Sequence, residues 1–410
     1  MSTSAPEPAV GATQATTTLP LPAAPEITVV LPCLNEADTL GTVIGKAQRA
    51  FAEHGMNGEV VVADNGSTDG SIEIAETMGA RVIHVETKGY GSALMGGIRA
   101  AAGTYVIMAD ADDSYDLLEL PKFVEKLREG YDLVQGCRLE SGGGRVMPGA
   151  MPFLHRRWGN PMFSRMARSW FRSPLTDVYC GFRGFTKSFW LDLRQRADGM
   201  EFATEMTIKA SLHTSRPKIA EVPITLHPDG RVAHAPHLRT FRDGWRTLRF
   251  YLLHSPRWLF LVPGAIAIAF GLIGYALALP GVTIGGATLD AHTLLFASLA
   301  ILCGYQSIVF AIFTKAFVIA EGLVRVDHRW RNFFNVVNLE RGLVVAGITL
   351  LGGLTLLGVA VRQWMSADFG RLDYSDTMRL VIPGATLTAI AVQTILSSFF
   401  VSILGMHTKD

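Results

Sequence analysis

Asp110, Asp112 and Asp113 stand directly after an apolar run, YVIMA at 105–109. If that run is a buried strand, it delivers the carboxylates of Asp110 and Asp112 to the carboxyl edge of a sheet, where ligands of open α/β sheets bind. Hard carboxylate oxygens there can hold Mg²⁺ or Mn²⁺ against the phosphates of a nucleotide. The same acids could instead form a turn that caps the next helix. Three more polar clusters follow β-rich runs: PCLNE at 32–36, DNGS at 64–67 and KGYG at 88–91. Clusters converging on one edge favour a ligand site over unrelated turns.

The elements that must position these clusters have their own pattern. Strands are predicted at 27–31, 59–63, 81–85 and 105–109. Between them Leu40, Val43, Ile44, Ala47 and Phe51 recur at helical spacing, as do Ile72, Ala75 and Met78, and a small-residue helix runs to Ala102. This alternation predicts an α/β domain with a mostly parallel sheet covered on both faces. No Walker loop or GxGxxG fingerprint follows the first strand, which disfavours a P-loop ATPase or a dinucleotide-dependent dehydrogenase. A nucleotide-sugar site held by carboxylates and a divalent ion fits better. The net charge of +1 provides no field for nucleic acid. Cys33, Cys137, Cys180 and Cys303 show no metal-type spacing and read as buried thiols.

Four stretches without a charged side chain follow, at 258–279, 293–314, 342–361 and 380–406. Each has the roughly 20 residues that span a bilayer as a helix, and membrane helices are predicted at about 258–279, 293–320, 342–361 and 380–404. Arg239, Arg242, Arg246, Arg249 and Arg257 lead into the first, and Arg325, Arg329, Arg331 and Arg341 lie between the second and third, whereas 280–292 has no Lys or Arg. The positive-inside rule then puts the N-terminal domain and the C-terminus in the cytoplasm, on the inner membrane of the cell. The expected organisation is a disordered, signal-free tail at 1–25, an α/β domain at 26–230, amphipathic interface helices at 231–257 and a membrane region at 258–406. In the interface segment the arginines recur beside Leu238, Phe241, Trp245, Leu248 and Leu252 at helical spacing, which suits a membrane surface. Anionic head groups are the simplest partners of that stripe.

The segments VLPCLNE at 30–36, VADNGSTDG at 62–70 and DAD at 110–112 resemble the inverting family 2 glycosyltransferases of GT-A fold, with a mixed, mostly parallel sheet. DADDSYD at 110–116, GCR at 136–138, PGAMPFLHRRWGN at 148–160, Asp177 with CGFRGF at 180–185, and MEFATEM at 200–206 narrow the resemblance to polyprenyl-phosphate sugar synthases of the dolichol-phosphate mannose synthase and bacterial glucosyltransferase type. It covers about 27–260. The resemblance implies that Pro32, Asn35 and Glu36 line the nucleotide pocket with Asp64 at the base or ribose. Lys88 and Gly89 would lie near the nucleotide. Asp110 and Asp112 would form the metal-binding pair, with Asp112 nearest the Mg²⁺ or Mn²⁺, and Arg138 would meet the acceptor phosphate. Ser114 departs from the mannose synthases, which carry Gln there as an extra metal ligand; the third contact would come from water, Asp113 or Asp116. This tilts the donor toward UDP-glucose, with GDP-mannose next.

A lipid monophosphate acceptor needs no catalytic base, because its second pKa is about 6. It needs cations, and a guanidinium matches phosphate oxygens as a permanently charged fork. Arg138 and Arg165 are the candidates, Arg165 from a run that includes Arg156, Arg157, Arg168 and Arg172. Asp177 and Glu205 read equally as sugar ligands, bases or structural acids. The expected product is a β-linked polyprenyl-phosphate hexose, made by an enzyme in the lipid bilayer that can form homo-oligomers. A processive polysaccharide synthase would carry a QxxRW motif, but His254 stands where Gln belongs before Arg257-Trp258. A lipid flippase would place polar groups at mid-membrane, where Gln306 and Gln393 are the main exceptions to apolar sequence.

Overall fold

The computed structural model describes residues 24–213, 215–231, 240–320 and 338–406. Residues 1–23 of the expected tail, together with His234, His237, Leu238, Arg239, Arg325, Arg329 and Arg331, lie outside the described residues. The chain forms two compact units. One takes residues 24–151, Cys180–Gly199 and 218–231, and the other takes Pro152–Tyr179, Met200–Pro217, 240–320 and 338–406.

In the first unit, β1 (Ile27–Cys33) pairs in parallel with β2 (Gly58–Asp64), which pairs in parallel with β3 (Arg81–His84). On its other side β1 pairs in parallel with β4 (Tyr105–Met108). Beyond these come β5 (Leu133–Cys137), the short β6 (Arg145–Val146) and β7 (Arg183–Thr186), with β7 antiparallel to both β4 and β5. Strand β8 (Ile219–Pro223) is parallel to β5, and β9 (Thr225–Leu226) pairs with β6. The main sheet runs β3-β2-β1-β4-β7-β5-β8. Every residue of β1 is buried, as expected of a parallel strand covered on both faces. Helix α1 (Leu40–Glu53) buries Leu40, Val43, Ile44, Ala47 and Phe51, the set its spacing predicts. Also in this unit are α2 (Ser71–Thr77), α3 (Tyr90–Ala100) and α4 (Leu120–Arg128).

The register explains why polar clusters meet at one edge. Cys33 lies opposite Asp64, and Asp64 opposite His84, so β1, β2 and β3 end together. Pairing of β1 with β4 stops earlier, at Val30 and Met108, with one further bond from Ala109 N to Val30 O. Alternate residues of a strand direct their amides to opposite neighbours, so Pro32, two beyond Val30, faces β4 where no ladder bond is left to donate. A proline, which lacks an N–H, is tolerated there. The divergence of β1 from β4 opens the edge at which Asp110 and Asp112 emerge.

The second unit holds α5 (Asn160–Phe171), and α6 (Lys187–Leu193) belongs to the first. The second unit continues with α7 (Phe202–Leu212), α8 (Thr240–Leu253) and α9 (Val262–Ala278), the last preceded by a wide turn at Arg257–Leu261. The long helices α10 (Ala291–Ala320), α11 (Leu339–Ser366) and α12 (Tyr374–Met406) complete it. Residues 152–179 and 200–217 group with this second unit, although they lie within the 26–230 stretch read as one domain from the sequence. The physical reason is aromatic packing: Phe163 and Phe171 of α5 meet Tyr251 of α8 edge-on, and Trp170 stacks on Trp258 at 5.2 Å.

Among the described residues, four helices are long and apolar enough to cross a membrane: Arg257–Ala278, Ala291–Phe317, Leu339–Ser366 and Tyr374–Leu404, with mean hydropathy of 2.0 to 2.3. The third and fourth extend past the expected 342–361 and 380–404, because helix geometry continues through polar ends that a charge-free window excludes. Asn338 caps α11 by accepting from Arg341 N at 3.0 Å. Phe270, Phe296, Ile348 and Leu351 are exposed, as side chains facing lipid would be. The α9–α10 contact is backbone-close: a Cβ on Gly304 would fall 2.6 Å from Gly264 O. In α8, Thr247 and Tyr251 face inward, while Phe241 and Trp245 stay exposed with Arg242 and Arg249.

Candidate active site

The loop after β4 holds its two leading acids differently. Asp110 Oδ1 accepts from the Tyr90 hydroxyl at 2.7 Å, at the start of α3. On its other side is Gly181, where a Cβ would lie 2.9 Å from Asp110 Oδ2. Burial and the neighbouring Asp112 push the Asp110 carboxyl up to about 7, against the Tyr90 hydroxyl and the Arg231 and Arg138 guanidiniums, which pull it down. Asp112 Oδ1 accepts from Ser114 N at 3.1 Å and Ser114 Oγ at 2.6 Å. Ser114 therefore acts on Asp112, fixing its rotamer. Asp113, at φ +59°, meets Lys46 at 2.7 Å, and Asp116 lies 3.8 Å from Lys46 while accepting from Leu118 N. Both acids expected as possible third contacts thus face Lys46 of α1, and the capping role belongs to Asp116.

The nucleotide-side candidates form a second group in the same unit. Asp64 accepts from Gly66 N at 3.0 Å and Ser67 N at 2.9 Å. Burial pushes its carboxyl up, but these donors, the Ser67 hydroxyl and His84 outweigh it and leave the group below its ordinary value. Asn65, which the sequence reading did not single out, is buried and holds the neighbouring loop. Its Nδ2 donates to Val85 O and Thr87 O, and its Oδ1 accepts from Gly89 N at 2.8 Å. Lys88 Nζ donates to Asn65 O at 2.5 Å. Gly89 sits at φ +136° with Asp198 O only 2.2 Å from where a Cβ would be, so no side chain fits. Asn35, at φ +59°, accepts from Thr68 N at 2.8 Å. Pro32 is buried at the end of β1.

Glu36 has a partner that sequence spacing could not reveal. It is 5% exposed and forms a two-point ion pair with Arg231, at 2.5 and 2.8 Å. The same guanidinium lies 2.9 Å from Asp229 and 3.4 Å from Asp112. Arg138, 7% exposed at the end of β5, is close enough to Asp110 to lower its carboxyl. Arg165 is exposed on α5 of the second unit. Glu205, in the same unit, pairs with Lys209 at 2.7 Å, which favours its structural reading.

Asp110 and Asp112 fit a divalent ion by their chemistry. They are hard-oxygen donors, Gly181 leaves room beside Asp110 Oδ2, and among the described residues the contact of Asp112 Oδ2 is the long one to Arg231. Among the described residues no third His, Cys, Asp or Glu joins them. Such a site suits Mg²⁺ or Mn²⁺ that takes its remaining ligands from water and substrate phosphate.

Residues 28–191 match the family model for glycosyl transferase family 2, and residues 312–405 match the glycosyltransferase family 2 C-terminal transmembrane region. The chain is 34% identical over 384 residues to the low-salt glycan biosynthesis hexosyltransferase Agl6 of Haloferax volcanii, covering 93% of this chain and 90% of the relative. It is 33% identical over 199 residues to a dolichyl-phosphate hexose transferase of the same organism, covering 48% of this chain and 82% of that protein. Among solved structures, glucosyl-3-phosphoglycerate synthase from Mycobacterium tuberculosis superposes with a TM-score of 0.46 at 22% identity, over 57% of this chain and 81% of the other.

Proposed function

The chain belongs to glycosyltransferase family 2, and from that premise we propose that it transfers a hexose from a nucleotide sugar to a polyprenyl phosphate, with inversion to a β-linked product. The observation that carries this reading is one sheet edge. Asp110 and Asp112, the 64–67 and 88–91 loops and the buried Arg138 share a unit, on a chain that also carries four membrane-long helices. The relatives' names support a hexose and a lipid phosphate. Basic residues flanking the spans support a cytoplasmic site. UDP-glucose is the favoured donor and GDP-mannose the next.

In this reading Asp112 and Asp110 hold the Mg²⁺ or Mn²⁺, which as a Lewis acid would stabilise the charge of the departing nucleoside diphosphate. Tyr90 keeps Asp110 oriented through its hydroxyl. Asp64, Asn35 and Lys88 hold the nucleotide, on loops that Asn65 fixes by three hydrogen bonds. Arg138 orients the acceptor phosphate, whose oxygen attacks the anomeric carbon. A phosphate largely dianionic at neutral pH has no proton to give up, so no residue is needed as a base.

The test uses the full chain in membranes with Mg²⁺ or Mn²⁺ and undecaprenyl phosphate, offering radiolabelled UDP-glucose, GDP-mannose and UDP-N-acetylhexosamines in turn. Label is expected in the organic phase from one donor and lost in Asp112→Ala. No lipid-linked label from any donor, despite nucleotide binding, overturns the lipid-phosphate acceptor. Arg138→Ala and Arg165→Ala complete the set. Loss of transfer with donor binding kept assigns each arginine to the acceptor.

A further inference from the structure

The segment after β9 runs along the acidic loop and is anchored to it by its backbone. His227 N donates to Ser114 O at 2.9 Å, and Gly230 N donates to Asp112 O at 3.0 Å. A Cβ on Gly230 would lie 3.1 Å from Thr39 Cγ2 and 3.5 Å from Asp112 O, so the approach is close. Asp229 Oδ1 accepts from Arg231 N at 2.8 Å and sets the direction in which that side chain leaves.

The guanidinium of Arg231, largely buried, then touches three carboxylates unequally. Its bonds to Glu36 are 2.5 and 2.8 Å and its bond to Asp229 is 2.9 Å, whereas Asp112 Oδ2 stands 3.4 Å from Nη1. Glu36 and Asp229 fix the guanidinium, and Asp112 is the loosest of the three. Asp112 Oδ1 is committed to Ser114. The oxygen with capacity left for a metal ion is therefore the one on Arg231's side.

We infer that Arg231 is a positioning residue that shares Asp112 with the divalent cation and holds the cation's own affinity down. The inference rests on the reading that Asp110 and Asp112 bind the metal. A fixed positive charge beside a cation ligand opposes cation binding, and removal of that charge strengthens it. An arginine that merely propped Asp112 in place would behave oppositely, since its loss would disorder the ligand. With Arg231 present, firm metal binding depends on the negative diphosphate that arrives with the donor.

The test is Mn²⁺ binding to the detergent-solubilised full chain, followed by electron paramagnetic resonance of the free ion, without donor or acceptor. Arg231→Gln is expected to bind Mn²⁺ roughly tenfold more tightly than the native protein, while its turnover with donor and acceptor falls. Because Arg231→Gln leaves Glu36 buried without its partner, the double variant Glu36→Gln/Arg231→Gln is compared with Glu36→Gln alone, and the same tightening relative to that single variant is expected. Unchanged or weaker Mn²⁺ binding, in whichever variant keeps the native thermal unfolding transition, overturns the inference. Native protein that binds Mn²⁺ no better than Asp112→Asn would instead remove the metal reading, and the inference with it.

Discussion

A methyl group at Gly181 would lie 2.9 Å from Asp110 Oδ2 and 3.2 Å from the Tyr115 hydroxyl, which itself accepts from Gly181 N at 2.9 Å. Gly181→Ala should therefore displace the Asp110 carboxylate while leaving the sheet intact. We expect Mn²⁺ affinity to fall with only a small change in thermal unfolding temperature, and an unchanged affinity would show that Asp110 is not a ligand. Tyr90→Phe removes the hydroxyl that donates to Asp110 Oδ1. Its stability cost should be about 0.5–1.5 kcal/mol, measured by denaturant unfolding, and its kcat should fall with little change in the KM for donor. Asp110 and Asp112 could be named as candidates from residue type and position after a strand, and Asp64 and Lys88 from the resemblance. Tyr90, Asn65 and Arg231 could not. Each acts through a partner remote in the chain, and Arg231 is 195 residues from Glu36.

Strands were the most legible elements, because parallel strands buried on both faces read as continuous apolar runs. Their ends were less so. Strand β1 runs on through Pro32 to Cys33, two residues past the apolar stretch, because β2 still pairs with it after β4 has diverged. One side chain ties several of these strands. Glu59 of β2 accepts from Thr28 Oγ1 of β1 at 2.8 Å, from Ala102 N at 2.8 Å and from Arg81 of β3 at 2.7 Å. Burial pushes its carboxyl up, but these donors prevail and hold it below its ordinary value. A lowered folded-state pKa stabilises at pH above the unfolded value near 4.3 and ceases to do so as pH falls through the lowered one. Glu59→Gln should thus cost about 1–3 kcal/mol at pH 7. The difference from the native protein should shrink below about pH 4, and a pH-independent difference in denaturant midpoints would refute the charge-based account.

At the scale of the whole molecule, four apolar stretches foretold four membrane-long helices, but not the polar contacts among them. The Tyr275 hydroxyl of α9 meets Ser298 Oγ of α10 at 2.6 Å and donates to Thr386 Oγ1 of α12 at 3.2 Å, joining three helices. Tyr275→Phe should destabilise the membrane unit by about 0.6–1.7 kcal/mol, read from unfolding in mixed detergent micelles. The division into two units was hidden from sequence, since α5 and α7 lie within the stretch that the resemblance covers. The backbone passes from one unit to the other five times, at 151/152, 179/180, 199/200, 217/218 and once more before α8. Genetic and folding boundaries therefore do not coincide. A fragment ending at 231 would strand α5 without Tyr251 and Trp258, its aromatic partners. Such a fragment should aggregate when expressed.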